Sequence, residues 1–110
     1  MIQATHKMNF APEKITDALQ ILRSIIERTR VEPGCISCAV YQDTDSEHII
    51  VLEEKWRSDE DLQRHLCSED YQKVILVMEI ACSPPEISFY TIEETMGVEF
   101  IEKARTKKDK

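Results

Sequence analysis

Two histidines in this 110-residue chain stand where a proton acceptor would be useful. His6 alternates with Ile2, Ala4 and Met8 along an N-terminal run, and His65 lies between Leu62 and Leu66 in a later helical segment. Imidazole is the side chain whose ordinary pKa lies nearest neutrality, so either residue can serve as a general base. The third histidine, His48, borders a polar loop and reads as solvated. If helices cover the strand face that carries His6, then His6, Trp56, His65, Tyr71, Met78 and Phe89 line a cleft between sheet and helices. His6 and His65 are the candidate catalytic residues, and Trp56, Tyr71, Met78 and Phe89 the candidate substrate-binding walls. Each has a plainer alternative as core, Trp56 above all, because its ring is the largest apolar group present.

Other chemistries find little support. Cys35-x-x-Cys38 suggests metal or redox work, but residues three apart on a regular strand point to opposite faces, and Cys67 and Cys82 make no second such pair. No metal site is expected. With only two glycines, Gly34 and Gly97, there is no phosphate-cradling loop, and no nucleotide cofactor is expected. No Ser or Cys nucleophile sits in a recognisable elbow. The net charge of −7 argues against nucleic acid or an anionic membrane as partner. No apolar run approaches the length of a membrane span, and the N-terminus lacks a signal-like apolar stretch. The expectation is a soluble, cytoplasmic protein with reduced thiols.

The elements that must position these groups follow in order. Ile2 to Asn9 alternates as a strand with one buried face. Pro12 opens a helix in which Ile15, Ala18, Leu19, Leu22, Ile25 and Ile26 recur at spacings of three and four, to about Arg30. Pro33-Gly34 makes a turn. Cys35 to Gln42 and His48 to Trp56 form a hairpin around the polar loop from Gln42 to Glu47. Both hairpin strands read as apolar on both faces. Ser58 caps a second helix, with Asp61 reaching back and Asp59 and Glu60 favouring its positive end. This helix breaks near Ser68, and Tyr71, Val74, Ile75 and Met78 define a further helical face that Ser83-Pro84-Pro85 ends. Glu86 to Ile92 is the last strand. Met96, Val98, Phe100 and Ile101 are too apolar for a free tail and are expected to dock, whereas residues 103–110 read as a basic, frayed end to a single domain of residues 1–102.

The stretch from Glu32 onward resembles the antibiotic biosynthesis monooxygenase (ABM) family. Its members carry EPG, then a strand ending in E-x-W or E-E-x-W, then S-x-E-x-L-x-x-H-L-x-S. Here these are Glu32, Pro33 and Gly34; Glu53, Glu54 and Trp56; and Ser58, Glu60, Leu62, His65, Leu66 and Ser68. The resemblance implies an α+β, ferredoxin-like four-stranded antiparallel sheet with helices on one face, two copies forming a dimeric α/β barrel. A homodimer also answers a physical need, because the helices of one short chain cover only one face of an apolar sheet.

The family includes quinol monooxygenases that need no cofactor, which implies a small aromatic or quinol-like substrate and O2, with no cofactor expected. A base that deprotonates a hydroquinone or polyphenol leaves a ring electron-rich enough to reduce O2, and an apolar pocket shields the radical pair. Other readings are a dimer that binds or senses a small hydrophobic ligand without turnover, a small-metabolite isomerase, and a haem-degrading enzyme. The last fits poorly, since its axial histidine follows the second helix and no His occurs after His65.

Overall fold

The structure, a computed structural model, describes residues 1–108. Strand β1 (Ile2–Asn9) leads through a short 3-10 turn at Pro12–Lys14 into helix α1 (Ile15–Arg30). Strands β2 (Cys35–Gln42) and β3 (Ile49–Trp56) follow, then helices α2 (Asp59–Leu66) and α3 (Glu69–Glu79), strand β4 (Glu86–Thr91) and helix α4 (Val98–Lys108). The four strands form one antiparallel sheet in the order β2-β3-β1-β4. This is the ferredoxin-like arrangement expected from the sequence.

Periodicity explains which face each element buries. In α1 the residues Ala18, Leu22, Ile25 and Thr29 are buried at spacings of four and three. In β3 every second residue is buried, namely Ile50, Leu52, Glu54 and Trp56, and in β1 the matching set is Ala4, His6 and Met8. The helices lie over this face. Glu54 is the one carboxylate in the buried row, and a charge there demands partners.

The turn before β2 is held tightly. Gly34 has φ +84°, and a Cβ there would lie 2.1 Å from an Asp61 carboxylate oxygen, so only glycine fits both its backbone and its space. Its carbonyl accepts from the Arg57 amide at 2.8 Å, and Arg64 of α2 reaches the Pro33 carbonyl at 3.1 Å. Ser58 caps α2 by accepting from Asp61 N at 3.2 Å. Ser68 caps α3 by accepting from Tyr71 N at 3.2 Å and donates to the His65 carbonyl at 2.6 Å. One serine thus fixes the junction between the helices carrying His65 and Tyr71.

Three expectations change. A β-bulge between Cys35 and Ser37 adds a residue to β2, so Cys35 lies opposite Trp56 and Cys38 opposite Glu54. Both cysteines therefore share the helix face, where a regular strand would have separated them. The opposite sheet face is mixed rather than apolar, because Thr5, Glu53 and Lys55 stand among Ala39, Tyr41 and Val51 on it. Finally, the helix runs on through Lys108, past the point where fraying was expected; residues 109–110 lie outside the described residues. Met96, Val98, Phe100 and Ile101 are all exposed.

Candidate functional site

Beneath the helices, buried polar groups form two short chains that meet at Tyr71. In the first, His65 Nδ1 lies 2.8 Å from Glu32 Oε2 and His65 Nε2 lies 3.2 Å from Glu54 Oε2. Glu54 Oε1 also accepts from Trp56 Nε1 at 3.2 Å, and the indole and imidazole rings stack with centroids 4.6 Å apart. Ionised carboxylates only accept, so these two partners favour a proton on both nitrogens of His65, the imidazolium form. Burial opposes that charge, but the hydrogen bond and charge of Glu54, with those of Glu32, outweigh it and hold the pKa above the ordinary histidine value. An imidazolium with both protons engaged has no lone pair to offer.

In the second chain, Tyr71 Oη lies 2.8 Å from His6 Nε2. His6 is fully buried and its Nδ1 has no hydrogen-bond partner. The Leu52 carbonyl, opposite His6 in the sheet, is near enough to favour a proton on the ring but not aligned for a full bond. This leaves Nε2 as the acceptor for the Tyr71 hydroxyl. Burial pushes the His6 pKa below its ordinary value, while the Glu54 charge pulls the other way. His6 is therefore the histidine of the pair that favours the neutral form. Burial and the charge of Glu54 push the Tyr71 phenol up to about 12.

Of the six residues expected to share a cleft, His6, His65 and Tyr71 come together. The Tyr71 ring meets both imidazoles, with centroids 5.8 Å and 5.5 Å away. Phe89 meets His6 edge-on at 6.3 Å and is 49% exposed, as β4 projects beyond the helix cover. Trp56 is fully buried against His65, and Met78 packs on the apolar core. The rings pack against one another: Tyr71, 7% exposed, is the hydrogen-bonding neighbour of His6, and Phe89 is its exposed apolar neighbour.

The profile of the antibiotic biosynthesis monooxygenase family matches residues 1–75. The chain belongs to the ABM family. An uncharacterized protein of Synechocystis sp., sll1783, is 29% identical over 85 residues, which are 76% of this chain and 58% of that protein. The chain thus spans little more than half the length of this curated relative. Among solved structures, a conserved protein of Methanosarcina mazei is 29% identical with a TM-score of 0.78, over 84% of this chain and 92% of that one. A candidate antibiotic biosynthesis monooxygenase of Deinococcus radiodurans gives 0.80 at 20% identity, covering 88% and 97%. Rv0793 of Mycobacterium tuberculosis gives 0.79 at 24% identity, covering 87% and 98%. The last two share the fold.

Two members of this buried cluster escaped a reading for chemistry, Glu32 and Glu54. The signal for Glu54 was present: in Ile50, Leu52, Glu54, Trp56 it occupies a position of period two that is otherwise apolar. Glu32 stood in the EPG motif, but its contact with His65 depends on how the Pro33-Gly34 turn returns the chain toward α2. The thiols of Cys35 and Cys38 are pushed up to about 11 and about 12, chiefly by burial, so they remain protonated. Among the described residues, no group of three or more His, Cys, Asp or Glu is arranged to hold a metal ion. No helix among them is long and apolar enough to cross a membrane.

Proposed function

We propose that this ABM protein is a monooxygenase that oxidises a hydroquinone or polyphenol with O2, with His6 as the base and Tyr71 as the group through which the proton reaches it. The observation that carries this reading is the 2.8 Å contact between a neutral, buried imidazole and a phenol. A substrate hydroxyl placed against Tyr71 gives its proton to the Tyr71 oxygen as the Tyr71 proton passes to His6 Nε2. The resulting electron-rich ring transfers one electron to O2, and the radical pair collapses to a carbon–oxygen bond. One oxygen atom stays on the ring and the other leaves as water. The exposed helix-face residues Ile87 and Phe89 of β4, both beside His6, offer an apolar surface for the substrate. His65 is the other candidate base that the sequence offers. Its two carboxylate partners give it a scaffold role instead, holding Trp56 and the edge of Tyr71 in place.

Oxygen uptake by chelator-treated protein, measured with a panel of hydroquinones, should exceed the spontaneous rate. No uptake with any of them, together with thermal stabilisation by the same compounds, would favour a ligand-binding dimer instead.

The working form in this proposal is a homodimer. Tyr41 and Tyr90 are each 53% exposed on the sheet face away from the helices, and Met96, Val98, Phe100 and Ile101 extend exposed beyond β4. A second copy would cover both surfaces. Light scattering should return twice the 12.8 kDa chain mass, and a mass of one chain would refute the dimer.

A further inference from the structure

Two oxidisable aromatic side chains lie at the centre of the site, and each is hydrogen-bonded to a group able to take its proton. Trp56, the only tryptophan, donates Nε1–H to Glu54 at 3.2 Å, and Tyr71 faces His6 Nε2 at 2.8 Å. The His65 ring bridges them, stacked on Trp56 at 4.6 Å and edge-on to Tyr71 at 5.5 Å. Proton acceptors on both rings are not required by packing, since a buried tyrosine or indole is satisfied by any carbonyl. The site instead provides a carboxylate and a neutral imidazole.

We infer that Tyr71 and Trp56 form an internal electron-transfer pair in which oxidation of Tyr71 is coupled to proton transfer to His6, and that the pair reduces organic or oxygen-centred radicals arising at the site. In the step, the radical gains one electron from Tyr71 and becomes its anion. The Tyr71 O–H proton moves to His6 Nε2, leaving a neutral tyrosyl radical beside an imidazolium. That imidazolium can then protonate the anion formed. With Trp56 as the oxidised partner, its radical cation takes the electron from Tyr71 and returns to neutral indole, its N–H still facing Glu54. The coupling is obligatory because burial keeps the phenol protonated up to about 12, and loss of the electron alone would leave an uncompensated charge in the core. His65 is a positioning residue, in contact with both the indole and the phenol.

The oxygenase reading supplies the physiological radicals, but the pair can be tested without substrate. Flash excitation of the intact protein, with light that tryptophan absorbs and tyrosine does not and with nitrate as electron scavenger, oxidises Trp56 alone. The tryptophanyl absorption should decay as a tyrosyl signal grows, at a rate independent of protein concentration and slowed in deuterium oxide. Tyr71→Phe should abolish that growth, whereas Tyr41→Phe and Tyr90→Phe should leave it intact. His6→Gln should slow it by about 100-fold, the contribution of a positioned base. The inference is overturned if the wild-type protein shows no tyrosyl growth, if the rate has no isotope effect, or if the growth survives in Tyr71→Phe. None of these results bears on oxygen uptake, so the two readings stand or fall separately.

Discussion

Glu54→Gln should lower the unfolding free energy by about 3 kcal/mol, the cost of breaking a buried ion pair from one side, and Tm by roughly 15 °C in a domain of this size. The reason lies in counting donors. Glu54 offers one oxygen to Trp56 Nε1 and the other to His65 Nε2, and the residue is only 1% exposed. An amide presents one acceptor and one donor, so either the indole or the imidazolium would face an N–H with water excluded. Glu32→Gln should cost less, about 1 kcal/mol, because Glu32 is partly exposed and water can replace it.

The pH dependence follows from the same pair. His65 titrates higher in the folded chain than the ordinary histidine value of 6.5, so its stabilisation is complete below that value and is lost as pH rises through the raised one. His6 is shifted the other way, and its contribution is lost as pH falls from 6.5 through its lowered value. Tm should therefore decline on both sides of neutrality, with Glu54→Gln flattening the alkaline limb. A Tm within a couple of degrees of wild type in Glu54→Gln would mean that His65 is not held as an imidazolium.

Much of the fold could be read from the chain because its periodicities are uninterrupted. The alternation in β1, the three-and-four spacing of α1, the serine cap at Ser58 and the break near Ser68 each describe a local structure that packing then keeps. The faces of β2 could not be read, since one bulge between Cys35 and Ser37 reverses the side to which Cys35 points, and no residue type there announces it. The site was half legible. Strand alternation and helical spacing bring His6 and Tyr71 to the same interior, but the division of labour between the two histidines depends on carboxylates contributed by other elements. His65 is flanked in sequence by Arg64 and Leu66, and nothing local reveals that its ring lies between Glu32 and Glu54.

That division of labour gives the second large effect. His6→Gln should lower kcat for hydroquinone oxidation by about 10²- to 10⁴-fold, the usual contribution of a positioned base. Glutamine can hydrogen-bond the Tyr71 hydroxyl but cannot take up its proton, so binding and fold should survive while proton transfer fails. Tyr71→Phe should lose turnover to a similar degree, because His6 is fully buried and the Tyr71 hydroxyl is the group hydrogen-bonded to its Nε2. Glu32→Gln weakens the His65 scaffold without touching the His6–Tyr71 contact, and at temperatures where it remains folded it should keep kcat within about threefold of wild type, as expected for a group outside the proton path. The wild-type rate should hold on the acid side of 6.5 and fall only as pH drops through the lowered His6 value, since the base must be neutral. Were His65 the base, the acid limb would instead lie above 6.5, and His6→Gln would leave it in place. The position of that limb, and whether it disappears in His6→Gln, separates the two histidines in one set of pH–rate profiles.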